Sequence, residues 1–336
     1  MIHPIPAGTR DVLPDEMREL RAIDERLRSS FADAGYGEVW TPMVEYEDVF
    51  AAGADFDRPG AARGPGGASP PTSSAFRMFD ENGRVLALRS DMTVPIARVV
   101  ATRFSESERE LRLCYSAHSY RAVGHRTGQQ REFLQSGIEL IGVAGPVGEA
   151  EVVALALDAL ASAGLARHRV GVGDGALYRR LLEALEVPED RHGELLSCLT
   201  RRDMVGLELR VDALGLTRDA RDLLVGLPEL RGGPEVLERG DGPADEALAR
   251  LRELYATLEG QGVADRVILD LGLVRDLGYY TGAVFELYDP AVGFALGGGG
   301  RYDDLIGRFG APRPACGIAL DVQRVHVAQA AEEAQR

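Results

Sequence analysis

Between residues 15 and 34 the apolar side chains Met17, Leu20, Ile23, Leu27 and Phe31 recur every three or four positions with charges between them. That spacing predicts an amphipathic helix, ended by Gly35 and Gly37. Residues 38–50 (EVWTPMVEYEDVF) are rich in Val, Trp, Tyr and Phe and read as extended chain interrupted by Pro42. Residues 53–75 are mostly Gly, Pro, Ala and Ser, which predicts a mobile loop, either a plain insertion or a lid. A hairpin follows over 76–88, turning at Glu81-Asn82-Gly83 because Asn-Gly readily supplies the positive dihedrals of a tight turn. Strand patterns at 112–121 and 131–141 flank a polar turn, then come an apolar helix at 147–163, a strand at 168–172 and a helix at 176–186.

The segment 188–262 changes character: Leu-rich helical stretches alternate with Gly-Pro breaks, and strand signal is nearly absent. It reads as a mainly helical insertion between a first part (1–187) and a second part (263–328) of one sheet-containing domain. Strand chemistry returns at 267–271, 279–288 and 317–320, before a final helix. The last eleven residues are Ala, Glu and Gln-rich, and 329–336 is expected to be a flexible tail.

Composition narrows the function classes. A chain of 336 residues with 45% hydrophobic content buries a sizeable core. Thirty-eight basic against 53 acidic side chains give a net charge of -15, which repels a polyphosphate partner at long range and disfavours a free-standing nucleic-acid binder. No stretch approaches the roughly 20 apolar residues that span a bilayer, and the first residues carry no basic-then-apolar signal, so the cytoplasm is the expected location. Cys114, Cys198 and Cys316 are odd in number and far apart, which predicts buried reduced thiols rather than disulfides or a zinc site. The six histidines show neither metal spacing nor a nucleophile partner, and no metal or cofactor is expected.

Four segments carry candidate chemistry. LRSDMT (88–93) sets Arg89, Asp91 and Thr93 at a strand end ahead of a helix near Val94-Pro95; it suits a helix cap, or a fork of acceptors for an ammonium group. Beyond Arg121, Gln135 and Glu139 stand four apart, on one face of a strand. Polar groups there are costly if buried unpaired, so they indicate either a ligand or a solvated face. In VRDLGYYTG (274–282), Tyr279 and Tyr280 follow Arg275; in a strand they face opposite ways, so at most one should line a given pocket. The run from Gly297 to Gly300, before Arg301-Tyr302-Asp303, lacks the Gly-Lys-Ser/Thr ending of a phosphate loop; it suits a close backbone approach or a tight turn.

Taken in order, Gly8-Thr9-Arg10-Asp11 with Leu13-Pro14, LRSDMT, Tyr120-Arg121 with REFLQSGIELIG, LVRDLGYYTG, GGGGRYDDLIGRFG and GIALDVQRV resemble the catalytic domain of histidyl-tRNA synthetase over nearly the whole chain. The resemblance implies an α+β, class II synthetase-like fold: an antiparallel sheet flanked by helices, a helical insertion, and a homodimer formed through the first helix and strand. Carried over by position, it puts a histidine pocket on Asp91, Thr93 and Gln135 for the amino group, and on Glu139 with Tyr279 or Tyr280 for the imidazole, with Arg275 beside them. An imidazole needs a hydrogen-bond partner at each nitrogen and an aromatic against its ring, which these residue types supply. On the nucleotide side Arg121, Arg275 and Arg324 match functional arginines of the family.

Departures from the synthetase pattern fall on that same side. Val123 stands where a synthetase has glutamate, Gln129 where it has arginine, and Asp321 and Gln323 where it has glycine and glutamate. Valine accepts no hydrogen bond and glutamine offsets no phosphate charge, so adenylation loses support. Asp91, where synthetases carry glutamate, resembles the RxDMT form of the HisZ family, the regulatory subunits of short-form ATP phosphoribosyltransferase. The chain also ends soon after the third motif, where a synthetase continues into an anticodon-binding domain of about 100 residues, an ordinary domain size. The resemblance therefore implies a non-catalytic subunit that joins a short-form ATP phosphoribosyltransferase catalytic subunit in a hetero-oligomer. Such a subunit is needed for activity and for feedback inhibition by L-histidine in the first step of histidine biosynthesis, without tRNA or membrane. Two rivals remain at this level: an enzyme adenylating histidine for a non-tRNA acceptor, motivated by the surviving arginines, and an RNA-binding module, disfavoured by charge.

Overall fold

The computed structural model describes residues 5–53, 75–122, 130–238, 242–273 and 279–335. Residues 54–74 of the loop expected at 53–75, together with Val123, Gln129 and Arg275, lie outside the described residues. The chain opens with helix α1 (Pro14–Asp33), strand β1 (Gly37–Glu38), strand β2 (Val44–Tyr46) and the short helix α2 (Glu47–Gly53). Strands β3 (Arg77–Phe79) and β4 (Val85–Leu88) lead into helix α3 (Thr93–Arg103), the long hairpin β5 (Leu111–Tyr120) and β6 (Glu132–Ile141), helix α4 (Pro146–Ser162) and strand β7 (Arg169–Asp174). Helices α5 (Leu177–Ala184), α6 (Glu189–Arg201), α7 (Met204–Asp212) and α8 (Arg218–Gly226) precede strand β8 (Arg231–Gly232) and helix α9 (Pro243–Gly260). Strands β9 (Val267–Asp270), β10 (Ala283–Tyr288), β11 (Ala295–Arg301) and β12 (Ala315–Asp321) and helix α10 (Val322–Ala334) complete the described elements.

Nine strands form the main sheet in the order β1-β5-β6-β12-β11-β10-β7-β9-β8, with a three-stranded sheet β2-β4-β3 beside it. Only the pairs β1 with β5 and β7 with β9 run parallel, so the sheet is mixed but largely antiparallel, an α+β arrangement. Alternation sorts the side chains onto two faces. Ile138 and Leu140 of β6, Cys316, Ile318 and Leu320 of β12, and Phe285 and Leu287 of β10 join one apolar core with α1 and α4. The alternate positions Gln135, Glu139, Gly317 and Ala319 face the other way, toward α3 and the chain around Tyr279 and Tyr302. On α1, Leu20, Ile23, Leu27 and Phe31 are buried in one stripe, each contributing about 1.5–3 kcal/mol by leaving water.

Four expectations change. Residues 47–53 are helical, not extended; Glu47 and Asp48 occupy the first turn, where acidic side chains suit the helix dipole, and Phe50 is buried. The strand expected from Tyr279 begins only at Ala283. The glycine run is not a turn: it is the interior of β11, between β12 and β10, and of the two readings the close backbone approach holds, a Cβ at Gly299 falling 1.9 Å from the Gly317 carbonyl. The segment taken as a tail continues α10 to Ala334, because the buried Glu332 carboxylate accepts the backbone amides of Ala166 and Arg167. The 188–262 segment is mainly helical as expected, yet it also adds the edge strand β8 to the main sheet through β9. The hairpin forms as read: Gly83 has φ +77°, and Asp80 accepts the amides of Asn82 and Arg84.

Candidate functional site

On the face of the sheet away from α1 and α4 lies a cleft of about 720 Å³. Its floor is bare backbone. Glycines 297–299 of β11 and Gly317 of β12 line it, and at the next cleft-facing position a Cβ on Gly300 would come within 2.8 Å of the Tyr280 ring, so a side chain is excluded there.

Asp91, Thr93, Gln135, Tyr279 and Tyr280 line the inner end together. Asp91 accepts the Val94 amide at 3.0 Å in the first turn of α3, and it also lines the cleft. Burial pushes its carboxyl above the ordinary range, while the Val94 amide and nearby Arg121 pull it back. Gln135 faces the cleft with its Oε1 held by the Ser119 hydroxyl at 2.8 Å. Tyr279 and Tyr280 both line the pocket, with ring centroids 4.9 Å apart and planes tilted by 58°. The expectation that only one could do so fails because these residues precede β10, where strand alternation does not apply. Arg89, by contrast, points away: it donates to the carbonyls of His118 and Thr41 and ties β4 to β5.

Glu139 sits beneath this end rather than in its lining, and is 1% exposed. One carboxylate oxygen accepts the Thr93 hydroxyl at 2.7 Å, and the other accepts the Tyr302 hydroxyl. Gly317 stands opposite Glu139 on β12; a Cβ there would lie 1.7 Å from the carboxylate oxygen. Burial pushes Glu139 up to about 7, against the pull of the Tyr302 and Thr93 hydrogen bonds and with a further push from Asp91. The tyrosine hydroxyls of Tyr115, Tyr279 and Tyr302 are raised by burial, which keeps them neutral donors. Two acidic groups and several hydroxyls thus converge on a space suited to a small, amino-bearing, cationic ligand.

Sequence reasoning missed Tyr302 and Tyr115. Tyr302 was visible inside GGGGRYDD, and its ring meets Tyr279 edge-on at 5.9 Å. Tyr115 was legible from β5 alternation alone, since it alternates with the core residue Cys114; its hydroxyl lies 2.6 Å from where a Cβ of Gly137 would be.

Toward the outer end the lining becomes charged: Arg10, Glu16, Arg121, Glu286, Asp321, Arg324 and His326. Arg121 stacks over Phe133 at 4.8 Å, and Arg324 over Phe294 at 5.6 Å. Arg10 pairs with Glu16 at 2.7 Å, and Arg324 donates to the Ala295 carbonyl at 2.7 Å and faces Asp321 at 3.4 Å. Asp321 caps α10 through the amides of Gln323 and Arg324, and the Gln323 side chain accepts the Leu134 amide. All three cysteines are buried and unbridged, and among the described residues no group of His, Cys, Asp and Glu could hold a metal ion. No helix among them is long and apolar enough to cross a membrane.

Residues 8–325 match the family model described as histidyl-tRNA synthetase. The ATP phosphoribosyltransferase regulatory subunit of Moorella thermoacetica is 40% identical over 330 residues, covering 97% of this chain and 82% of that protein. Among solved structures, an ATP phosphoribosyltransferase regulatory subunit/histidyl-tRNA synthetase from Bacillus halodurans superposes with a TM-score of 0.84 at 32% identity, covering 98% of this chain and 84% of that one. A histidine–tRNA ligase subunit from Alicyclobacillus acidocaldarius gives a TM-score of 0.80 at 34% identity, covering 100% and 98%.

Proposed function

We propose, from the premise that this chain belongs to the histidyl-tRNA synthetase family and within it to the ATP phosphoribosyltransferase regulatory subunits, that it is a non-catalytic subunit whose synthetase-like cleft binds L-histidine. The observation that carries this reading is the contrast within the cleft. Its inner end keeps acceptors and hydroxyls around Asp91, Thr93, Gln135, Tyr279 and Tyr280, with Glu139 behind them. The arginines Arg10 and Arg324 at its outer end are already paired within the chain.

In this reading Asp91, Thr93 and Gln135 take the ammonium group of the ligand, and Tyr279, Tyr280 and Tyr302 enclose the imidazole. Glu139 tunes the donors above it. Arg275 completes the histidine site, and Arg121 and Arg324 are the remnant of a nucleotide site. The partner is a short-form ATP phosphoribosyltransferase catalytic subunit in the cytoplasm, the chain forming a homodimer core within a hetero-oligomer. Residues 188–262 act as an insertion in the synthetase-like domain. Feedback inhibition then requires histidine to favour one state of the complex by about 1–3 kcal/mol.

The test mixes the purified chain with its cognate short catalytic subunit and follows phosphoribosyl transfer with and without L-histidine. The expected result is activity only in the mixture, suppressed by histidine. Histidine-dependent exchange of pyrophosphate into ATP by this chain alone would overturn the non-catalytic reading in favour of an adenylating enzyme.

A further inference from the structure

The cleft is larger than an amino acid of histidine's size requires, and its outer half carries cations next to anions. Three arginines line it, yet so do the carboxylates of Glu16, Glu286 and Asp321. Asp321 lines the cleft from the end of β12, opposite Gln135 of β6. Its Oδ1 is held by the amides of Gln323 and Arg324, both at 3.1 Å, which fixes the carboxyl against the start of α10. Its Oδ2 faces Arg324 Nε at 3.4 Å. The Arg324 guanidinium is further held by the Ala295 carbonyl and lies over the Phe294 ring.

We propose that Asp321 is the specificity-determining residue that closes the outer half of the cleft to polyphosphates, by offsetting the charge of Arg324 and holding a carboxylate in the path of an anion. A polyanion entering this space meets guanidiniums whose charge is already offset, and it must approach a carboxylate that backbone amides prevent from swinging away. A like charge fixed at short range in a half-enclosed space rejects a ligand more effectively than the loss of an attractive contact alone. The consequence for the ligand class is definite: the outer half admits neutral or cationic groups, and the cleft as a whole selects an amino acid over a nucleoside triphosphate. This inference rests on the histidine reading of the inner end but depends on different residues.

The experiment titrates a ribose-labelled fluorescent ATP analogue, with magnesium, into the full chain and into Asp321→Asn, Asp321→Gly and the double variant Asp321→Asn with Arg324→Ala. Asparagine keeps the cap on α10 while removing the charge, so this variant separates electrostatics from loss of fold. The expected result is no saturable binding by the native chain and a gain of roughly tenfold or more in apparent affinity for Asp321→Asn. That gain should shrink for the monophosphate analogue and vanish in the double variant. Native binding as tight as that of Asp321→Asn overturns the proposal, as does an Asp321→Asn variant that gains nothing, whatever the glycine variant does. A gain that survives Arg324→Ala overturns the role given to Arg324. Calorimetry with L-histidine on the same proteins reports on the inner end separately: absence of histidine binding in the native chain sinks the histidine reading and leaves the nucleotide result standing by itself.

Discussion

Glu139 and Glu149 are both buried acids, 1% and 3% exposed, yet the chain treats them in opposite ways. Glu149 on α4 receives Arg301 Nε at 2.7 Å, and Arg301, fully buried, also donates to Asp303 and to the carbonyls of Gly145 and Val143. Its charge is settled inside the fold. Among the described residues, Glu139 receives the hydroxyls of Thr93 and Tyr302. Hydroxyls satisfy lone pairs without cancelling charge, so the electrostatic demand of Glu139 is passed to whatever occupies the cleft. A buried acid with a guanidinium is architecture; a buried acid with hydroxyls under a cleft prepares a site.

The comparison breaks most readily at Arg301. Arg301→Ala leaves Glu149 buried without its guanidinium partner, with the Ala283 amide and the charge of Arg250 remaining, and is expected to cost about 3 kcal/mol of unfolding free energy in urea titration. A loss under about 1 kcal/mol would mean the pair is structurally idle. Glu139→Gln should do the reverse. With its carboxyl near 7, the folded chain holds a proton that the unfolded chain releases at the ordinary glutamate value. Stability is therefore withdrawn as pH rises through this interval and fully withdrawn above the folded value. The Gln variant lacks this slope, so its stability relative to the native chain should grow by roughly 3 kcal/mol at most between pH 4.5 and pH 8. Parallel stability curves for the two proteins would contradict the assignment.

Smaller effects sharpen the site. Gly317→Ala puts a methyl where the Glu139 carboxylate lies, and should weaken histidine binding by about tenfold or more in calorimetry while the overall fold persists. Tyr302→Phe removes one hydrogen bond to a carboxylate, for which about 1.5 kcal/mol is typical, and should lower histidine affinity by roughly tenfold. An unchanged affinity in Tyr302→Phe would detach Glu139 from ligand binding.

Periodicity made α1, the β5–β6 hairpin and the Asn82-Gly83 turn legible, because each is set by local pattern. It failed at Glu47–Gly53, where Val49 and Phe50 look like strand residues but the acidic first turn and tertiary packing favour helix. It failed again at Tyr279 and Tyr280, since facing rules presuppose a strand that has not yet begun. The motif order identified the pocket side chains, yet no one-dimensional reading could tell that Glu139 lies below the lining, because that depth comes from Thr93 and Tyr302, 46 residues before it and 163 after. The docking of the last helix likewise depends on long-range partners, Glu332 on the Ala166 and Arg167 amides and Val322, Val325 and Ala328 in the main core.

The glycine strand has a consequence for how the sheet assembles. A strand normally finds its register because a slip of one residue would turn its apolar set outward, and four consecutive glycines in β11 carry no such information. The two ends of β11 supply it: Leu296 is buried in the core, and Arg301, the partner of Cys316 in the ladder, delivers its guanidinium to Glu149 and the Gly145 carbonyl. The open floor of the cleft and the buried ion pair beyond it are thus two halves of one device, a featureless track pinned at its ends.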